Sequence, residues 1–172
     1  MKRNFTPCLM ALLLLVSFAY SSCDKKTPEE DIEQVKKDAL AKYAEIVLAN
    51  YDDAYNSALS FKQAIDAFLA APTEAGFTAC KNAWLAARNP YGQSEAFRFY
   101  SGPIDDNNGP EGLMNAWPMD EVFVDYVVGN PNSGIINNPG QYPVIDKGLL
   151  IGLNELFSEV SIFSGYHTAE FL

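Results

Sequence analysis

Apolar residues recur three or four positions apart from Ile32 and Val35 through Tyr43, Val47, Ala54, Phe61, Ile65 and Phe68 to Leu69. This is the spacing of one helix face, sustained over about forty residues. It predicts one long helix, or two with a kink at residues 50–53. Thr27, Pro28 and Glu30 read as its N-cap, first turn and capping box, and Ala71-Pro72-Thr73 ends it. Thr73 then caps a second helix, with Phe77, Cys80, Trp84 and Ala87 as its inward stripe. Pro90 is expected to kink or briefly break that helix, because it lacks an N–H and crowds the preceding turn. The pattern resumes as far as Phe99. Two long helices joined by a tight Pro turn make an antiparallel hairpin.

Beyond Tyr100 the pattern changes. Residues 101–118 hold three Gly, three Pro and three Asn, which marks an irregular, turn-rich segment. A short helix is expected at 120–128, a loop at 129–143, a third helix at 145–157 and a last one from Gly165. No strand pattern and no internal repeat is present. The fold class is therefore all-α: a long helical hairpin in a bundle-like arrangement with two long ordered loops. Loops of such length in a compact domain usually carry function. The first one, with Asp105, Asp106, Glu111, Asn115, Trp117, Asp120 and Glu121 on or beside it, is expected to pack over the hairpin end near Pro90. A loop held simply by Asx turns and prolines fits the same residues.

The N-terminus reads as an export signal. Lys2 and Arg3 precede an apolar run at 8–19 that is too short to span a bilayer permanently. Tyr20-Ser21-Ser22-Cys23 then reads as a lipobox, with Cys23 lipidated after removal of residues 1–22; simple signal cleavage near Ser22 is the alternative. Residues 23–31 form a polar tether, and 32–172 form the helical domain. The expected location is the cell envelope, with a membrane contact made through the lipid. Formal net charge is −10, and losing the signal removes two cations. Such an acidic body argues against nucleic-acid partners and tolerates a bound cation. Of three cysteines only Cys80 would remain unmodified, so no internal disulfide forms; its neighbours suggest a buried thiol.

Candidate chemistry gathers at the C-terminus. His167, the only histidine, precedes Glu170 by three residues, so both project from one helix face. Such a pair shares a metal ion or a proton, or forms a structural hydrogen bond. Ser164 is a plausible N-cap, and Gly165 permits close approach. A helix of under two turns is too short to be stable alone, so either something outside this chain completes it or the tail frays. Glu95 and Arg98 stand at i and i+3 and are expected to pair.

Gly165-x-His167-x-x-Glu170 resembles the G-x-H-x-x-E signature of the imelysin family. Residues 83–88 (Ala-Trp-Leu-Ala-Ala-Arg), 91–99, 102–105, 115–121 and 134–137 resemble further family segments in the same order. The likeness covers roughly residues 28–172. It implies a chain representing the N-terminal part of a longer protein, whose second helical half follows the motif, or a truncated copy; without that half the chain from about residue 160 is expected to pack poorly. It also implies that Glu95 faces the motif, so that His167, Glu170 and Glu95 form a metal site supported by Arg98, Asp105, Trp117 and Gly165. Family relatives include iron-uptake components of the cell envelope, and an oxygen-rich donor set suits iron. The leading expectation is thus an iron-binding or iron-uptake accessory lipoprotein, its partners being the metal ion or iron-uptake components. The family also carries a metallopeptidase label, but H-E-x-x-H is absent and no catalytic base remains if all three residues bind metal. A non-catalytic surface module that binds another protein through Tyr91, Phe97, Trp117 and Tyr126 is the third reading.

Overall fold

The computed structural model describes residues 32–98 and 100–172. The signal, Cys23, the tether and the capping box at 27–30 lie outside the described residues. The chain divides into two compact units, Met1–Ala44 and Glu45–Leu172. The described part of the first, residues 32–44, is the start of a helix in which Lys36 pairs with Glu33 at 2.8 Å and the Gln34 amide donates to Asp38.

α1 runs from Ile32 to Ala70 as 39 unbroken residues, so no break occurs at 50–53. α2 spans Glu74–Gln93, opened as expected by Thr73, whose hydroxyl accepts from the Gly76 N–H at 3.0 Å. Together they make the helical hairpin of an all-α fold. Pro90 does not break α2. It lies in the last turn, and the helix runs on through it to Gln93 although the proline has no N–H to give the carbonyl four residues back. The chain then tightens into a 3-10 turn at Ser94–Phe97 instead of continuing as α-helix. The Asn50 amide donates to the Pro90 carbonyl at 3.1 Å, tying the two helices at that level.

The remaining helices are short: α3 at Glu111–Met114, α4 at Lys147–Leu153 and α5 at Gly165–Phe171. The helix expected at 120–128 is only a 3-10 turn, Glu121–Phe123, followed by an isolated bridge between Val127 and Asn130. The one expected at 145–157 is about half that length. Asp146 caps it through a 2.8 Å bond from the Leu149 N–H, and it stops where Asn154 turns extended and Glu155 adopts a positive φ of 59°. A left-handed residue cannot continue a right-handed helix.

The apolar core is built by the loops and the short helix α4 and not by the hairpin. Met119, Val124, Ile135, Leu153, Ile162 and Phe163 are its buried members, with Phe123, Leu149 and Phe171 packed against them. On the hairpin only Ala54, Ala87 and Tyr91 are buried among apolar residues. Two helices cover one stripe of each other, whereas a loop folded on itself encloses side chains from all sides. Loop polar groups are satisfied locally: the Asn137 amide donates to Asp125 and to the Ser133 carbonyl, and the Asn138 amide to the Gly134 carbonyl, each at 2.7 Å.

The tail is well packed, contrary to expectation. Ser161 and Ile162 are fully buried, and Phe163 and Thr168 nearly so. α5 persists despite its seven residues because tertiary contacts hold it.

Candidate functional site

α5 is seated by α3 and α2. Gly165 has φ +93°, and a Cβ there would lie 2.5 Å from the Met114 carbonyl oxygen. Only glycine lets α5 begin against the end of α3 in this way. Ser164 occupies the N-cap position with extended backbone, but its side chain does not cap α5. The hydroxyl instead donates to the Leu113 carbonyl at 2.8 Å. From α2, the Trp84 indole N–H donates to the Tyr166 carbonyl at 2.9 Å. Asn154 joins the same junction: its amide donates to the Gly112 carbonyl at 2.9 Å and its oxygen accepts from the Phe163 N–H at 3.0 Å.

On this seat His167 and Glu170 face each other, with Nδ1 3.5 Å from the carboxylate. The imidazole is mostly buried and lies against the Trp117 ring, centroids 4.8 Å apart. Trp117 itself is two-thirds exposed, so it screens one side of the ring from water. Glu170 is 55% exposed and sits on the wall of an apolar groove of about 540 Å³, shared with Phe61, Phe68, Phe77, Trp84 and Lys81. Cys80 also lines this groove and is half-buried, not enclosed.

Glu95 does not join the pair. Its carboxylate is 68% exposed and stands 3.9 Å from Arg98. No group of three His, Cys, Asp or Glu side chains that could hold a metal ion occurs among the described residues. The His167–Glu170–Glu95 triad is therefore not assembled. Asp105 stays in the loop turn, where its N–H donates to the Gly102 carbonyl.

Arg98 has a closer partner than the one its spacing suggested. Its guanidinium, 90% buried, bonds to Glu111 of α3. The same carboxylate accepts from the buried Tyr91 hydroxyl and from the Asn115 amide at 3.1 Å. Arg98 also lies over the Tyr91 ring, 5.1 Å from its centroid. Burial pushes the Tyr91 phenol well above its usual range, and the bond to the Glu111 anion adds to the shift. Tyr166 is raised by burial too, with Arg88 over its ring opposing. The two tyrosine rings pack 5.1 Å apart, joining this network to the residue preceding His167. Arg98 Nε and Asn115 Oδ1 are buried with no partner, a donor and an acceptor on one network that the described atoms leave unmatched.

Sequence reading placed Glu111 in the functional loop but not as the acceptor for Arg98. Local spacing favoured Glu95, and a partner thirteen residues away across a turn-rich loop has no periodic signal. Asn154 escaped notice altogether, since a single Asn at a helix end looks like an ordinary cap.

A helical hairpin, a loop-built core, and a short G-x-H-x-x-E helix locked against both define the class: an all-α protein organised around one His–Glu pair. The chain belongs to the imelysin family, a family labelled as peptidases, whose sequence model matches residues 47–172. It is also similar to iron-regulated protein A of Synechococcus elongatus, 36% identical over 87 residues. That alignment takes in 51% of this chain and 24% of the relative, so the chain aligns with about a quarter of that protein's length.

Proposed function

We propose that this chain serves iron uptake at the cell envelope, as an imelysin-like lipoprotein whose His167–Glu170 pair contacts the metal as cargo. The observation that carries the reading is the pair itself: an imidazole and a carboxylate 3.5 Å apart on the motif helix, the imidazole lying against Trp117. Support for iron comes from the relative named for iron regulation and from the acidic body, formal charge −10. Support for the envelope comes from the signal-like N-terminus and Cys23. No helix of the described residues is long and apolar enough to cross a membrane, and attachment is proposed through lipid at Cys23.

Two protein ligands do not make a resident metal site, which takes three or four. They suit a cation held briefly, with other positions filled by water or by the group that delivers it. Equilibrium dialysis against Fe²⁺ under anaerobic conditions tests this. Intact protein is expected to bind iron, and His167→Ala and Glu170→Ala each to weaken it by about tenfold or more. Equal binding by all three proteins would refute the reading.

The peptidase reading rests on the family label. It requires hydrolysis of a denatured protein substrate that disappears in His167→Ala. Hydrolysis surviving in that variant would remove the motif from any such role.

A further inference from the structure

We infer that Glu111 is a positioning residue for His167, acting through α3. At the first residue of this short helix, Glu111 is fixed by three side chains: Tyr91 and Arg98 from the end of α2 and the 3-10 turn, and Asn115 from one turn on. At its last residues, the Leu113 carbonyl receives the Ser164 hydroxyl and the Met114 carbonyl fills the space that a Cβ at Gly165 would need. Three residues beyond α3, Trp117 presents its ring to His167. The same four-residue helix thus sets both the start of α5 and the aromatic wall against the imidazole. A helix of four residues has no stability of its own. Its orientation is decided by what holds its ends, and the only charged, multiply bonded hold described at its N-terminal end is Glu111.

A second route runs in parallel. Tyr91, bonded to Glu111, packs its ring on Tyr166, the residue before His167. Releasing Glu111 frees the Tyr91 hydroxyl and the Arg98 guanidinium together. Both the α3 seat and the tyrosine stack would then relax, and His167 would move relative to Trp117.

The inference rests on His167 being the functional side chain, but its test reads position and needs no metal. The protein has one histidine, so a single imidazole Hε1 resonance reports on it. Its chemical shift at one fixed pH contains the ring-current contribution of Trp117, and Trp117→Leu gives the value without it. In folded Glu111→Ala the resonance is expected to move at least half-way to the Trp117→Leu value. In Glu111→Gln, which keeps an acceptor of equal length, it should return most of the way. Tyr91→Phe, which removes one hydroxyl, should produce a smaller displacement in the same direction. An exposed acid elsewhere, Glu159→Gln, should produce none. Where Glu111→Ala fails to fold, Tyr91→Phe decides alone. A His167 resonance at the wild-type position in folded Glu111→Ala or, failing that, in Tyr91→Phe would overturn the inference. Iron binding is measured separately, so its failure would leave this result intact.

Discussion

Replacing Gly165 by Ala tests the seat of the motif helix. The substitution adds one methyl to a residue at φ +93°, a region that costs an L-residue about 1–2 kcal/mol. The new Cβ would stand 2.5 Å from the Met114 carbonyl oxygen, 2.6 Å from its carbon and 3.0 Å from the Leu113 oxygen. All three are backbone atoms and cannot rotate away, so α5 and α3 must separate by on the order of 1 Å to restore van der Waals contact. That separation stretches the 2.8 Å bond from Ser164 to Leu113, worth about 1 kcal/mol. The total is about 3 kcal/mol of lost stability, a fall in melting temperature of about 6–12 °C for a chain of this size. Gly92→Ala is the matched control. Gly92 lies within α2, and a Cβ there meets nothing within 4 Å. Alanine should therefore be neutral or stabilising by up to about 1 kcal/mol. Thermal unfolding followed by circular dichroism reads both. A Gly165→Ala protein as stable as Gly92→Ala would refute the packing of α5 against α3.

Further outcomes follow from the same network. Tyr91 has a folded-state pKa above its unfolded value, so its contribution to stability is complete below pH 10 and is lost as pH rises from there toward the folded value. Denaturant unfolding should lose up to about 1.4 kcal/mol per pH unit above pH 10 through this residue, and Tyr91→Phe should flatten that slope; an unchanged slope would exclude the assignment. Asn154→Ala breaks bonds to both Gly112 and Phe163 and should cost about 2 kcal/mol in urea unfolding, whereas a loss under about 0.5 kcal/mol would show that the junction does not depend on it. Trp117→Leu exposes the His167 ring with little effect on stability, since Trp117 is itself mostly outside; proton exchange and reagent modification of His167 should accelerate several-fold, and unchanged protection would locate the shield elsewhere.

Helices were legible where a periodic apolar face exceeded three turns, as in α1 and α2, and where a single residue fixed the boundary, as Thr73 does. The motif pair was legible because i, i+3 spacing survives in any helix. What spacing could not carry was long-range. Arg98 chose Glu111 over the nearer Glu95 because α3 delivers a carboxylate to a buried guanidinium, while Glu95 stays in solvent, where pairing gains little. The expected convergence of Glu95 on His167 failed for the same reason. The core was not legible, because Met119, Val124, Ile135 and Ile162 sit in turn-rich sequence that shows no period. The tail seemed loose because seven residues cannot hold a helix by propensity; carbonyls from α3, an indole from α2 and Asn154 hold it instead.

The most direct measurement uses the lone histidine as its own reporter. Substoichiometric Fe²⁺, added anaerobically to the intact protein, should broaden the His167 imidazole resonance before any other assigned signal, and Glu170→Ala should abolish that selectivity. Broadening spread over the exposed carboxylates, with the His167 signal unaffected, would contradict cargo iron at this pair.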